Sequence, residues 1–96
     1  MADNVKVLIP TALRPQAENH ESVELAGGSV GEVLARLRDR FPALGQRLYR
    51  DDKELNRFIN IYLNDENIRF LQNLVTPVED GDELTILPAI AGGTFR

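Results

Sequence analysis

The segment Gly27 to Pro42, GGSVGEVLARLRDRFP, constrains the fold more than any other stretch of the chain. Ser29 is a good helix N-cap, and Glu32 follows it at the spacing of a capping box. Val30, Val33, Leu34, Leu37 and Phe41 recur at threes and fours, with Glu32, Arg36, Arg38, Asp39 and Arg40 around the rest of the wheel. The spacing predicts one amphipathic helix, with Gly27-Gly28 as the turn into it and Pro42 ending it. Its apolar stripe needs a surface to cover.

That surface is written in the flanking segments, which alternate with a period of two. Val5, Val7 and Ile9 alternate with Asn4, Lys6 and Leu8, predicting a first strand over residues 4–10. TALRPQAENH reads as a long hairpin loop and residues 21–26 as the strand that returns. After the helix, ALGQRLY is short enough for one further helical turn, and RDDKELN is a polar loop. RFINIYLN predicts a third strand, with Ile59, Ile61 and Leu63 on one face and Phe58, Asn60 and Tyr62 on the other. NDEN is a turn, IRF a short strand, and Leu74 with Val75 anchor the crossing that follows. EDGDE turns at Gly81 into the last strand, ELTILP, with Leu84 and Ile86 facing inward. Residues 64–82 are too rich in turns for a second full helix. The expected class is therefore α+β, a β-grasp (ubiquitin-like) fold in which one main helix crosses one face of a small mixed sheet.

At 96 residues the chain suits one domain, expected over residues 1–88 with a flexible tail over 89–96. Eleven Lys and Arg against fifteen Asp and Glu give a net charge of -4. The cations are scattered, so no nucleic-acid partner is expected, and no run approaches the ~18 apolar residues needed to span a bilayer, so no membrane partner is expected. MADNVKVLIP lacks the basic start and long apolar run of a signal peptide, and a cytoplasmic location is expected. With no cysteine, the chain has no thiolate chemistry, disulfide or persulfide of its own, and His20 as the only histidine argues against a zinc site. His20 reads as surface filler. The acidic groups Asp51, Asp52 and Glu54, and Glu79, Asp80, Asp82 and Glu83, read as solvated loops, with Asp80 and Asp82 forming a turn rather than a metal site. No catalytic or metal-ligating set is visible, so no enzymatic activity is expected of the chain alone.

The second double glycine, Gly92-Gly93, differs from the first in having no helix to start. It follows the last strand through Pro88, Ala89, Ile90 and Ala91 and precedes only Thr94-Phe95-Arg96. Backbone without β-carbons can thread extended through a narrow channel, so this pair suits a terminus that enters another protein's active site. A frayed, small-residue end is the competing reading.

EDGDELTILPAIAGG, Glu79 to Gly93, resembles the C-terminal signature of the MoaD and ThiS family of ubiquitin-like sulfur carriers. IPTALRP and RFINIYLNDENIRF are similar to its CysO-type subgroup, the carriers of cysteine biosynthesis. The resemblance implies that Gly93 is the adenylate and thiocarboxylate acceptor, with Gly92 and Ala91 giving the tail access. It implies three partners: a ubiquitin-activating-type adenylating enzyme, a pyridoxal-phosphate cysteine or homocysteine synthase, and a zinc metalloprotease. No cofactor would be bound stably, ATP and magnesium being used by the activating partner.

Thr94 to Arg96 block Gly93 with a peptide bond, so proteolysis between Gly93 and Thr94 is expected first. Ubiquitin-like topology makes the first, last and third strands neighbours. Leu8, Leu87 and Tyr62, with Phe58 and Phe70, are the expected partner-binding patch. A ubiquitin-like protein modifier and a molybdopterin-synthase small subunit remain alternatives.

Overall fold

The computed structural model describes residues 2–51 and 54–88. The tail over 89–96, including Ala91, Gly92, Gly93 and Thr94, lies outside the described residues, as does Asp52. Five strands, β1 (Ala2–Leu8), β2 (Ser22–Gly27), β3 (Ile59–Leu63), β4 (Glu66–Asn67) and β5 (Glu83–Pro88), form one sheet in the order β2-β1-β5-β3-β4. β1 pairs antiparallel with β2 and parallel with β5, and β3 pairs antiparallel with β5 and β4. Helix α1 (Val30–Arg40) packs against this mixed sheet, and α2 (Pro42–Leu48) packs beside α1. This is the β-grasp arrangement.

Alternation determines which residues meet the helix. Val5, Val7 and Ile9, Ile59 and Ile61, and Leu84 and Ile86 are buried on the inner face, against Val30, Val33, Leu34 and Leu37 of α1 in the same core. Burying such side chains contributes roughly 1.5–3 kcal/mol each. The start of α1 is held from two directions. The Ser29 hydroxyl accepts the Glu32 amide at 3.2 Å, and the Glu32 carboxylate accepts the Gly28 amide at 2.6 Å. The Val30 amide donates to the Thr76 carbonyl at 2.9 Å, which ties the helix to the crossing segment.

Several local expectations are corrected. β1 begins at Ala2 and ends at Leu8, because Ala2 is buried and pairs with Gly27 across an irregular register. Residues 11–17 form a 3-10 helix rather than a loop: Leu13 and Ala17 lie four apart, and burying both coils the backbone despite Pro15. Gly27 is the last residue of β2 rather than part of a turn. Pro42 ends α1 and also opens α2, where its missing amide is harmless at the first position.

NDEN is only half turn, since Glu66 and Asn67 pair with Leu63 and Tyr62 as β4. IRF is a 3-10 turn, not a strand, with the Asn67 side chain accepting the Arg69 amide at 2.9 Å. In the crossing, Leu74 packs on the core but Val75 is 71% exposed; buried Thr76 and Val78 anchor the segment instead. His20 is more than surface filler. Its Nδ1–H donates to the Ala17 carbonyl at 2.8 Å, and its ring stacks obliquely on Phe41 with centroids 5.5 Å apart.

Candidate functional site

The outer face of the sheet carries no helix among the described residues. Its composition follows from register: Lys6 and Leu8 of β1, Glu83, Thr85 and Leu87 of β5, and Asn60 and Tyr62 of β3 share that side. The face is divided along the strands. Where β5 begins, Lys6 of β1 lies in register with Glu24 on one side and Glu83 on the other, a charged end. Toward the end of β5, Leu8, Tyr62 and Leu87 make it apolar, and Leu87 is 44% exposed. An exposed strand leucine beside an aromatic residue gives a dry centre that a partner can cover.

The five residues expected in the partner patch therefore fall in three places. Leu8, Tyr62 and Leu87 share the outer face. Phe58 lies just ahead of β3, exposed, with the Arg57 guanidinium 5.2 Å from its ring centroid. Phe70 is the most exposed of the large apolar residues among the described residues, in the 3-10 turn beyond β4, and is not on a strand of this face. Leu71 and Val75 are also exposed nearby; Leu71 was not singled out from sequence, and Val75 was expected to anchor the crossing rather than to face solvent. The signal available was the run IRFLQNLV, apolar residues set without strand or helix period in a turn-rich segment.

The 79–82 turn positions β5. Gly81 has φ of +88°, a left-handed conformation that suits glycine. The Asp82 carboxylate accepts the Glu79 amide at 2.8 Å, and the Asp80 carboxylate accepts the amides of Asp3 and Asn4 at the start of β1. Those two backbone donors hold the Asp80 carboxyl below its usual range. Asp80 and Asp82 are thus committed to backbone donors. No group of acidic or histidine side chains that could hold a metal is present among the described residues, nor is any helix there long and apolar enough to cross a membrane. Glu54 pairs with Arg50 at 2.9 Å on the surface, a contact of little energetic weight.

Sheet order, the helix on one face and an open apolar patch at the end from which β5 continues toward residue 89 define a ubiquitin-like protein. The chain belongs to the ThiS family, whose model matches residues 7–93 and so runs through Gly92-Gly93. It is 45% identical over 92 residues to the sulfur carrier protein CysO of Mycobacterium tuberculosis, covering 94% of this chain and 99% of that one. In structure it is similar to CysO in the Amycolatopsis orientalis BexX/CysO complex, with a TM-score of 0.84, 46% identity and 93% and 99% of the two chains covered. It is also similar to the small archaeal modifier protein 1 of Methanosarcina acetivorans, with a TM-score of 0.85, 36% identity and coverages of 97% and 99%. Its relatives thus include proteins named as sulfur carriers and proteins named as small archaeal modifiers.

Proposed function

We propose that this chain, once residues 94–96 are removed, carries sulfur as a thiocarboxylate on Gly93 and donates it for cysteine or homocysteine synthesis. The observation that supports this most is the double glycine at Gly92-Gly93, inside the family match and a few residues beyond a central strand. A chain without cysteine has no thiol of its own to hold sulfur; an activated terminal carboxyl supplies the alternative. The Gly93 carboxylate attacks the α-phosphate of ATP, pyrophosphate leaves, and a sulfur nucleophile then displaces AMP. ATP and magnesium belong to the activating partner. The sulfur of the thiocarboxylate next attacks an activated amino-acid side chain on a pyridoxal-phosphate synthase, and an acyl shift leaves the product amide-linked to Gly93. A zinc metalloprotease releases it, and the same enzyme suits the first cut between Gly93 and Thr94, since both bonds are glycine amides.

The apolar end of the outer face, with Leu8, Tyr62 and Leu87 and with Phe58 beside it, is the proposed docking surface for the activating enzyme; Phe70 extends the contact beyond β4. That CysO of Amycolatopsis orientalis forms a complex with BexX supports a protein partner. The likeness to an archaeal modifier supports a second reading, in which the activated Gly93 is joined to lysines of target proteins.

Mass spectrometry separates the two. The chain ending at Gly93, given ATP, an activating enzyme and a sulfur donor, should gain the mass of one oxygen replaced by sulfur, while the chain ending at Arg96 should not. Conjugates that persist after reduction, with no thiocarboxylate, would establish the modifier reading instead.

A further inference from the structure

Charges that are scattered along the sequence are sorted by the fold. Where β5 begins, the turns over 64–66 and 79–83 gather Asp65, Glu66, Glu79, Asp80, Asp82 and Glu83. Leu63 is the register partner of both Glu66 and Leu84, and the Asn64 amide donates to the Glu83 carbonyl at 2.7 Å. These turns hold no lysine or arginine. At the opposite end of β5, beside Pro88, stand Arg57 and Arg69. Pro88 is the register partner of Ile59, and the Arg69 guanidinium donates to the Arg57 carbonyl at 3.1 Å and to the Ile59 carbonyl at 3.5 Å.

Each of these arginines is followed by an exposed aromatic residue. The Arg57 guanidinium lies 5.2 Å from the centroid of the Phe58 ring, and Phe70 follows Arg69 in the 3-10 turn. No ion pair joins either arginine to a carboxylate among the described residues, and Glu54 is turned to Arg50 at 2.9 Å. A guanidinium has five N–H donors, so Arg69 keeps some after bonding the two carbonyls. Arginine and aromatic side chains are the types that most often anchor protein interfaces.

The two charged ends act separately. Glu83 and Pro88 open and close the six-residue β5, roughly 17 Å apart at strand spacing. Salt screens exposed charges over about 8 Å at physiological ionic strength. A partner approaching the Pro88 end therefore meets the arginines rather than the net charge of -4.

We infer that Arg57 and Arg69, with Phe58 and Phe70, form a cationic docking rim that turns the Pro88 end toward carboxylates around the active-site entrance of the activating enzyme. The identity of that partner rests on the carrier reading; the acidic chemistry of its entrance follows from the rim.

The test uses the chain ending at Gly93 and the cell's own ubiquitin-activating-type adenylating enzyme, with binding measured without ATP and adenylation measured separately by pyrophosphate release. Arg57→Glu should raise Kd and KM about tenfold at about 50 mM salt with kcat unchanged, and Arg57→Gln should raise them less. Both differences should close at about 1 M salt, where the screening length falls to about 3 Å. Glu79→Lys, at the far end, should leave both constants within about twofold of the parent. Unchanged constants for Arg57→Glu, or a loss that persists at high salt, would overturn the inference. An equal gain from Glu79→Lys would mean that net charge alone acts and would overturn it too. Salt-sensitive self-association of the parent that Arg57→Glu abolishes would assign the rim to the acidic end of a second copy, which also overturns it. Binding that depends on Arg57 without adenylation would overturn the carrier reading and leave the rim, whereas adenylation indifferent to Arg57 would do the reverse. Absence of binding by the parent would overturn both.

Discussion

Gly27 shows how much a single missing β-carbon can decide. A β-carbon placed there would lie 2.7 Å from Val33 Cγ2 and 3.0 Å from the Val33 amide nitrogen, so the end of β2 can meet α1 only without a side chain. At Gly28 the nearest atom is the mobile Glu32 carboxylate, at 3.1 Å. Gly27→Ala should therefore destabilise the fold by an overpacking cost on the order of 1–3 kcal/mol, and Gly28→Ala by clearly less. Urea unfolding of the two variants checks this; equal effects would remove the close approach as the cause. In the sequence these two glycines are interchangeable members of one turn signal. Which of them is buried is a property of the helix docked against it.

Among the elements, α1 was the most legible, because cap, stripe and stop all act within one segment. The 3-10 helix at 11–17 was not, since Pro15 and the polar residues around it are turn chemistry, and Leu13 and Ala17 are buried by joining the core where this segment packs against α2. The strands stand between these cases: alternation identified both faces of β1, β3 and β5 but not the ends of β1 and β3. The exposed face of β5 carries its own prediction. Leu87→Asp should abolish adenylation of the chain ending at Gly93 while circular dichroism and thermal midpoint stay near those of the parent, because Leu87 points away from the core. Adenylation at the parent rate would remove this face from the proposed docking surface. Leu25→Asp is unsuitable as a control, because Leu25 packs against the core.

Across the whole molecule, the chain closes by laying β1 parallel to β5, and Asp80 secures that closure by accepting the amides of Asp3 and Asn4. Its native pKa is lowered by those donors, so the ionised form is favoured in the folded state. The stabilisation is complete above the unfolded carboxylate pKa and is lost as pH falls through the lower native value. Asp80→Ala should lower the thermal midpoint at neutral pH, and the gap from the parent should close progressively below about pH 4. A gap that stays constant with pH would mean that Asp80 acts through turn geometry alone.

By itself the sequence determined helix α1, the strands β1, β2, β3 and β5, their order along the chain, and the buried faces of β1, β3 and β5. These depend on periodicity, caps and composition, which act over a few residues. The tertiary structure decided what depends on residues far apart in the chain. It split the expected patch into Leu8, Tyr62 and Leu87 on the outer face, Phe58 ahead of β3 and Phe70 beyond β4, and it exposed Val75 in favour of Thr76. Each of these is set by which surfaces remain uncovered after the helix has docked, a quantity that has no period and leaves no local signature.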